Sequence, residues 1–257
     1  MASETEGAEA HGEGGFAIDP MHQFEVHPIG GKIEIGGLDV SFTNSSLWMV
    51  IAAVAATLLM TLAMRPRSLV PGRLQSVAEI FYETVANMVR DNVGTAGRQY
   101  FPFIFTLFMF LLFGNVLSLI PGSFSFTAHI VVTFALAIVI FIFVTILGFA
   151  IHGLHFLRMF FPHGAPTWTA VILIPIELIS YLSRPISHSV RLFANMTVGH
   201  VLFKVLAGFV VLMGIAGVAP FIMLVGITAL ELLVALLQAY VFTILACVYL
   251  NDAIHMH

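Results

Sequence analysis

The chain has 257 residues, of which 59% are hydrophobic and 9% charged, whereas a soluble domain carries about 25% charged residues. A water-soluble globule is excluded. Residues 1–40 hold eight acids against one base, Lys32, while the remainder holds six acids and nine bases, so the formal charge of −4 comes from an acidic tail joined to a slightly basic apolar body. A single cysteine, Cys247, excludes an internal disulfide framework and any multi-cysteine metal or cluster site.

In chain order, the acidic tail covers 1–43 and lacks the features of a signal or transit peptide. Spanning a bilayer takes about 20 mostly apolar residues, and 44–64 is the first such stretch, stopped by Arg65, Pro66 and Arg67. Acid before it and positive charge after it place the tail outside and the arginines in the cytoplasm. Over 71–93, opened by Pro71 and Gly72, Leu74, Val77, Ala78, Phe81, Val85, Met88 and Val89 recur at helical spacing opposite Arg73, Gln75, Glu79, Glu83, Asn87 and Arg90. This is an amphipathic helix expected on the cytoplasmic surface.

No charge occurs between Arg98 and Arg158, which is room for two crossings, 99–120 and 127–151, with Pro121 and Gly122 as the turn. The Phe-rich run 101–113 is expected to face lipid. Two long apolar segments follow, 168–213 and 220–250. At 1.5 Å per residue the first measures roughly 69 Å, about twice the hydrocarbon thickness. Either Pro175 or Pro185 breaks it, or it runs steeply tilted as half of a hairpin. The fold class is therefore an all-α integral membrane protein with five membrane-embedded helices and one surface helix. No internal repeat of the transporter kind is present.

Charged side chains inside spanning segments are costly, so each is a functional candidate. Glu177, Arg184, His188, Arg191 and Asn195 fall within about 60° of Arg191 on a helical wheel, and His200 lies about 180° away. Glu231 and Gln238, seven residues apart, share a face of the last segment. Within 168–250, Arg184, Arg191 and Lys204 meet Glu177 and Glu231, one positive charge in excess. A buried arginine without an internal partner is strongly disfavoured, which points to a carboxylate on another subunit. Arginine keeps its proton, whereas His200 and Glu231 can pass one on.

The run Ser183, Arg184, Pro185, Ile186, Ser187, then Arg191, Leu192, Phe193, Ala194, Asn195, Met196 and Gly199, His200, resembles subunit a of the F-type ATP synthase. Pro71 to Gln75, Gly114 with Asn115, Glu231, Leu237 to Phe242 and Tyr249 with Leu250 fall in that family's order, so the resemblance covers residues 40 onward. It implies a proton-translocating stator subunit beside a ring of c subunits, each carrying one membrane-embedded carboxylate, with b-type peripheral stalk subunits and the rest of the synthase as partners. It further implies that Arg191 faces the ring and separates two offset half-channels. His200 and Glu231 form the inlet relay and Asn195 and Gln238 line the path. Glu177, Arg184 and His188 belong to the outlet side. The exchange of acid and histidine at 200 and 231 resembles the alphaproteobacterial and mitochondrial branch, and the bacterial inner membrane is expected in preference to the mitochondrial one, with the N-terminus periplasmic and the C-terminus cytoplasmic.

Each of these residues has a plainer reading. His200 with Glu231 is otherwise a structural pair, Glu177 a partner of Arg184, Asn195 and Gln238 helix-packing amides, and Arg184 an anchor at the cytoplasmic boundary. His129, early in the fourth helix, is either part of the inlet or a solvated helix end. His152, His155 and His163 lack an acid or cysteine to complete a metal site, so neither metal nor cofactor is expected. Phosphate-cradling loops and nucleophile elbows are absent, which leaves nucleotide chemistry to other chains; no nucleic-acid partner is expected. Two other readings remain in view: a self-contained proton-coupled carrier and an intramembrane hydrolase.

Overall fold

The structure is a computed structural model that describes residues 22–29, 31, 34–35, 38–39, 41–65, 72–120, 122–160 and 170–255. Most of the acidic tail with Lys32, Pro66 and Arg67, Pro71, Pro121, residues 161–169 with His163, and His257 lie outside the described residues, as does the side chain of Arg158. Among the described residues the chain is all-α apart from a small β-hairpin in the tail, β1 (Glu34–Ile35) paired antiparallel with β2 (Leu38–Asp39), and an isolated bridge between Pro28 and Thr43. Among the described residues, four helical stretches, 44–63, 73–117, 130–157 and 172–254, are long and apolar enough to cross a membrane, the last of them divided by a turn into two long helices.

The first helix, α1 (Asn44–Ala63), starts where Thr43 Oγ1 accepts the Ser46 N–H at 3.3 Å, which satisfies one of the free amides of the first turn. Asn44 ties the tail to this end: its Nδ2 donates to Glu25 O and its Oδ1 accepts from His27 N. Small residues, Ala52, Ala56 and Ala63, form its inner face. The amphipathic helix α2 (Arg73–Val93) buries Ala78, Val85, Met88, Val89 and Val93 at three- and four-residue spacing. Leu74, Val77 and Ile80 stay exposed beside the polar face.

A 3₁₀ segment (Gly94–Tyr100) leads into α3 (Phe101–Leu117), the most enclosed helix. The Phe-rich run does not simply face lipid. Ile104, Leu107, Phe108, Leu111 and Leu112 are buried in the main core, because α3 is surrounded by α1, α2 and a later helix. After a 3₁₀ turn (Phe126–Ala128), α4 (Ile130–His152) buries Thr133, Ala137, Ile140, Val144 and Gly148 along one face and exposes Val131, Val139 and Ile146 on the other.

Neither proline breaks the long segment. The helix α5 (Ala170–Met213) is continuous through Pro175 and Pro185 and, at 44 residues, measures roughly 66 Å. Prolines persist inside membrane helices where neighbours enclose the freed carbonyls, and Pro185 is buried among α4 and the last helix. Gly214, at φ 56°, opens the 3₁₀ turn Gly214–Gly217, a left-handed conformation that a side chain would strain. The chain returns as α6 (Val218–Ile254), which runs past the apolar segment expected to end at 250. Its last turn survives the loss of hydrophobicity because Arg184 binds Asp252 and His152 Nε2 lies 3.1 Å from Ala253 O and 3.2 Å from Ile254 O, satisfying terminal carbonyls.

The buried face of α6 reads Ala235, Gln238, Ala239, Phe242, Thr243, Ala246, Cys247, Leu250 and Ala253. Small residues at this spacing let helices approach closely. It lies against α3 and α5, with α2 and α4 alongside. The opposite faces of α5 and α6 expose Ile176, Ile179, Val198, Leu233, Leu237 and many other apolar side chains, as lipid or a partner chain requires.

Candidate functional site

The hairpin brings the candidate residues together at three levels. Arg191 stands at mid-length of α5, on its exposed face, and among the described residues it forms no ion pair. Asn195, one turn on and also exposed, donates from Nδ2 to Gln238 Oε1 at 2.9 Å, while Gln238 itself is buried at 3% exposure. A guanidinium and an amide therefore share the open face, and the amide is held by the neighbouring helix.

Toward the α5–α6 turn lie His200 and Glu231. They make no direct hydrogen bond or ion pair with each other. His200 Nε2 faces α3 and meets Ser118 Oγ at 3.4 Å; Ser118 Oγ donates to Asn115 O at 2.6 Å. Asn115, fully buried, donates from Nδ2 to Ala235 O at 3.3 Å, and its Oδ1 has no partner among the described residues. The Glu231 carboxylate rests against Gly199, where any Cβ would collide with Oε1. Glycine at this position makes the space the acid occupies, beside His200 in sequence. The opposed faces of Arg191 and His200 expected from their spacing are realised: one outward, one toward α3.

Phe24, from the tail, closes this end. Its ring stands edge-on to His129 at 6.2 Å and to His200 at 6.4 Å. His129 caps α4 and stacks on Phe124 at 5.0 Å. Its Nε2 is buried without a partner among the described residues, as are Ser125 Oγ and Thr127 Oγ1 nearby in the chain. Buried polar atoms in such a group are ordinarily satisfied by water.

At the other end the polar stripe divides. Glu177 does not pair with Arg184: seven residues put it roughly 10 Å away along the helix, and Arg184 turns to α6 instead. Its Nη1 donates to Asp252 Oδ2 at 2.8 Å, and its guanidinium carbon lies 5.4 Å from the Tyr181 ring centre and 5.2 Å from that of Tyr249. Tyr181 is itself held by Thr145 across to α4, with the two oxygens 2.7 Å apart. His188 is not on the open face at all. It is 4% exposed, its ring 3.7 Å from that of Phe242, and neither nitrogen has a hydrogen-bond partner among the described residues. A cavity of about 10 Å³ adjoins it, bounded by Pro185, Tyr249 and residues of α4, which is about the space one water needs.

Asp252 also corrects the charge count. Ending the segment at 250 left one positive charge in excess; with Asp252 the long hairpin carries as many acids as bases. The need for an outside carboxylate therefore rests on position, since Arg191 faces outward at mid-length of α5 and forms no ion pair among the described residues. Asp252, Ser118 and Phe24 escaped the sequence reading. A signal for Asp252 existed in the register of the hairpin, because folding at Gly214–Gly217 carries 195 to 238, 199 to 231 and 184 to 252. Phe24 had none, since nothing local links a tail residue to 129 or 200. His152, considered for metal binding, instead meets the end of α6.

The ATP synthase A chain family profile matches residues 46–251. ATP synthase subunit a of Paramagnetospirillum magneticum is 61% identical over 93% of this chain and 99% of its own length. The Rhodospirillum rubrum subunit a is 62% identical over the same shares, and that of Parvibaculum lavamentivorans 57% over 97% and 98%. With this coverage added to the hairpin geometry, the chain belongs to the ATP synthase A chain family.

Proposed function

We propose that this chain moves protons between the two faces of the membrane and a ring of c subunits, along two offset paths that meet at Arg191. As a member of its family it is the proton-translocating stator subunit of the F-type ATP synthase, a multi-pass membrane component without catalysis of its own. Carrier and hydrolase are thereby set aside. The observation that carries the residue-level reading is Arg191: an exposed guanidinium at mid-length of a long apolar helix, with no ion pair among the described residues. Such a charge calls for an anion from outside the chain.

Arginine is not deprotonated in proteins, so Arg191 is no relay. It holds an arriving ring carboxylate in its ionised form and repels free protons, which keeps the two paths from joining. On the periplasmic side, His129, His200 and Glu231 supply groups that accept and release protons, with Ser118 beside His200. Asn195 and Gln238, bonded across the hairpin, lead from that level to Arg191. Toward the cytoplasm Glu177, His188 and Arg184 border the outlet. The N-terminus is periplasmic, the C-terminus cytoplasmic, and the membrane is the bacterial inner membrane. The b-type stalk holds the chain against rotation.

The test is a cross-link. In the assembled synthase, Asn195→Cys should form a disulfide with a cysteine placed near the ring carboxylate, whereas Ile146→Cys, exposed on α4, should not. Equal yields from both positions would remove the assignment of this face.

A further inference from the structure

Two cavities lie in line along one edge of α3, and they differ in chemistry. The first, about 370 Å³, sits where α2 gives way to α3 and is bordered by Arg90, Arg98, Asn87 and Thr95 on one side and Phe101 and Pro102 on the other. No acid borders it. Arg90 is steered by Asn87, whose Oδ1 accepts from Nη2 at 2.8 Å, and leans on exposed Asp91 at 3.8 Å. Arg98 is exposed and has no ion pair among the described residues. A further cavity of about 430 Å³ opens on the other side of Thr95 and Arg98, so this cation is approachable from water.

The second cavity, about 270 Å³, is a groove between α1 and α3 bordered by Ala56, Met60, Phe105, Thr106, Met109 and Phe110. Phe101 and Pro102, then Phe105 and Thr106, then Met109 and Phe110 repeat at four-residue spacing. They form one ridge that leads from the cationic cavity into the apolar groove over about 12 Å. Phe101 and Phe105 stack at 5.5 Å, which makes that ridge continuous. A cationic pocket followed by an apolar groove, head to tail along a membrane helix, is the complement of an amphiphile with an anionic head.

We propose that an anionic phospholipid binds here, its phosphodiester between Arg90 and Arg98 and one acyl chain along the α3 ridge in the α1–α3 groove. The geometry matches the lipid at both ends. Guanidinium groups donate to phosphate oxygens in charge-assisted hydrogen bonds, and the groove takes up apolar surface that a hydrated anion does not have. The site rests on the reading that α2 lies at the cytoplasmic membrane surface. Bound there, the lipid joins α1, α2 and α3.

The test uses the whole synthase in nanodiscs of phosphatidylcholine doped with phosphatidylglycerol whose acyl chain carries a photoreactive group. Cross-links should fall on groove peptides of α1 and α3, and a phosphatidylcholine probe should label them about tenfold less. Arg98→Gln should lower the yield by about tenfold, the loss of one charge-assisted contact. Thr106→Trp, which fills the groove and leaves both arginines intact, should lower it too. Inorganic phosphate should not compete. Equal labelling by phosphatidylcholine, an unchanged yield in the Arg90→Gln, Arg98→Gln double variant, displacement by inorganic phosphate, or a cross-link to another subunit in place of lipid would each overturn the proposal. The placement of α2 is tested separately by Thr95→Cys, which should react with a membrane-impermeant maleimide from the cytoplasmic face; reaction only from the periplasmic face overturns that placement and leaves the cross-linking outcome to be judged by itself.

Discussion

Arg184 on α5 and Asp252 in the last turn of α6 meet at 2.8 Å, with the guanidinium held against the rings of Tyr181 and Tyr249. The pair fastens the open end of the hairpin, opposite the turn at Gly214–Gly217, so the two helices that carry the proposed proton-path residues are joined at both ends. The cation is three-quarters covered and its partner about two-thirds covered. Removing either charge leaves the other short of a partner, at a cost of about 1–3 kcal/mol, between the values for exposed and buried pairs. Asp252→Asn and Arg184→Gln should each lower the thermal midpoint of the purified synthase and slow ATP-driven pumping, and the double variant should be less impaired than the two effects combined. A double-mutant cycle on dissociation temperature measures this coupling, and additive effects would contradict it.

Arg191→Ala should abolish ATP-driven proton pumping in inverted vesicles. Arg191→Lys should not restore it, because a compact ammonium does not reproduce the reach and fork of the guanidinium. Passive proton conduction through the membrane sector should persist in the alanine variant, measured by the decay of an imposed pH gradient. Coupled pumping retained at the parental rate would remove Arg191 from the mechanism.

Gly199→Ala tests the close approach of Glu231. A methyl group there collides with the carboxylate, and displacement of a reacting group by about 1 Å costs up to 100-fold in rate. Proton flux should fall by about tenfold or more, and Glu231→Asp in the same chain should recover part of it, because the shorter acid leaves room for the methyl. Failure of the shorter acid to improve the alanine variant would argue that the glycine serves packing alone.

His200→Ala and Glu231→Ala should each slow flux, while the exchange of the two residues should restore part of it. His200 and Glu231 face different neighbours, Ser118 and Gly199, so full recovery is not expected. Flux unchanged in both single variants between pH 6 and 8 would exclude a relay.

Asn195→Leu should weaken the contact between the hairpin helices, since buried Gln238 then keeps an unsatisfied carbonyl at a cost of about 1–3 kcal/mol. Gln238→Leu leaves only the exposed Asn195 without a partner, which water satisfies, so its effect on the stability of the complex should be smaller. Thermal dissociation of the two variants gives the comparison, and the reverse order would exclude Gln238 as the buried partner.

Much of this architecture was legible in the residues. Long charge-free runs reveal membrane helices because hydrocarbon tolerates few ions, and the same scarcity singles out Arg191, His200 and Glu231. The opposite faces of Arg191 and His200 follow from helical periodicity alone. Hydrophobicity, however, does not mark where a helix ends: α6 continues through Asn251 and Asp252 on tertiary contacts that no local pattern records. Nor does it separate lipid-facing from core-facing phenylalanine, since both environments are apolar, and so the burial of Phe108 emerged only with α3 enclosed by its neighbours.

The sequence by itself determined that this is an apolar helical membrane protein whose few charges are functional candidates, because charge count and hydropathy act locally and need no fold to be read. Only the tertiary structure decided which partner each polar residue takes: Asp252 for Arg184, Gln238 for Asn195, Ser118 for His200, and no ion pair for Arg191 among the described residues. Those choices depend on how antiparallel helices are set against one another. That register is fixed by packing across the whole hairpin, and no single segment contains it.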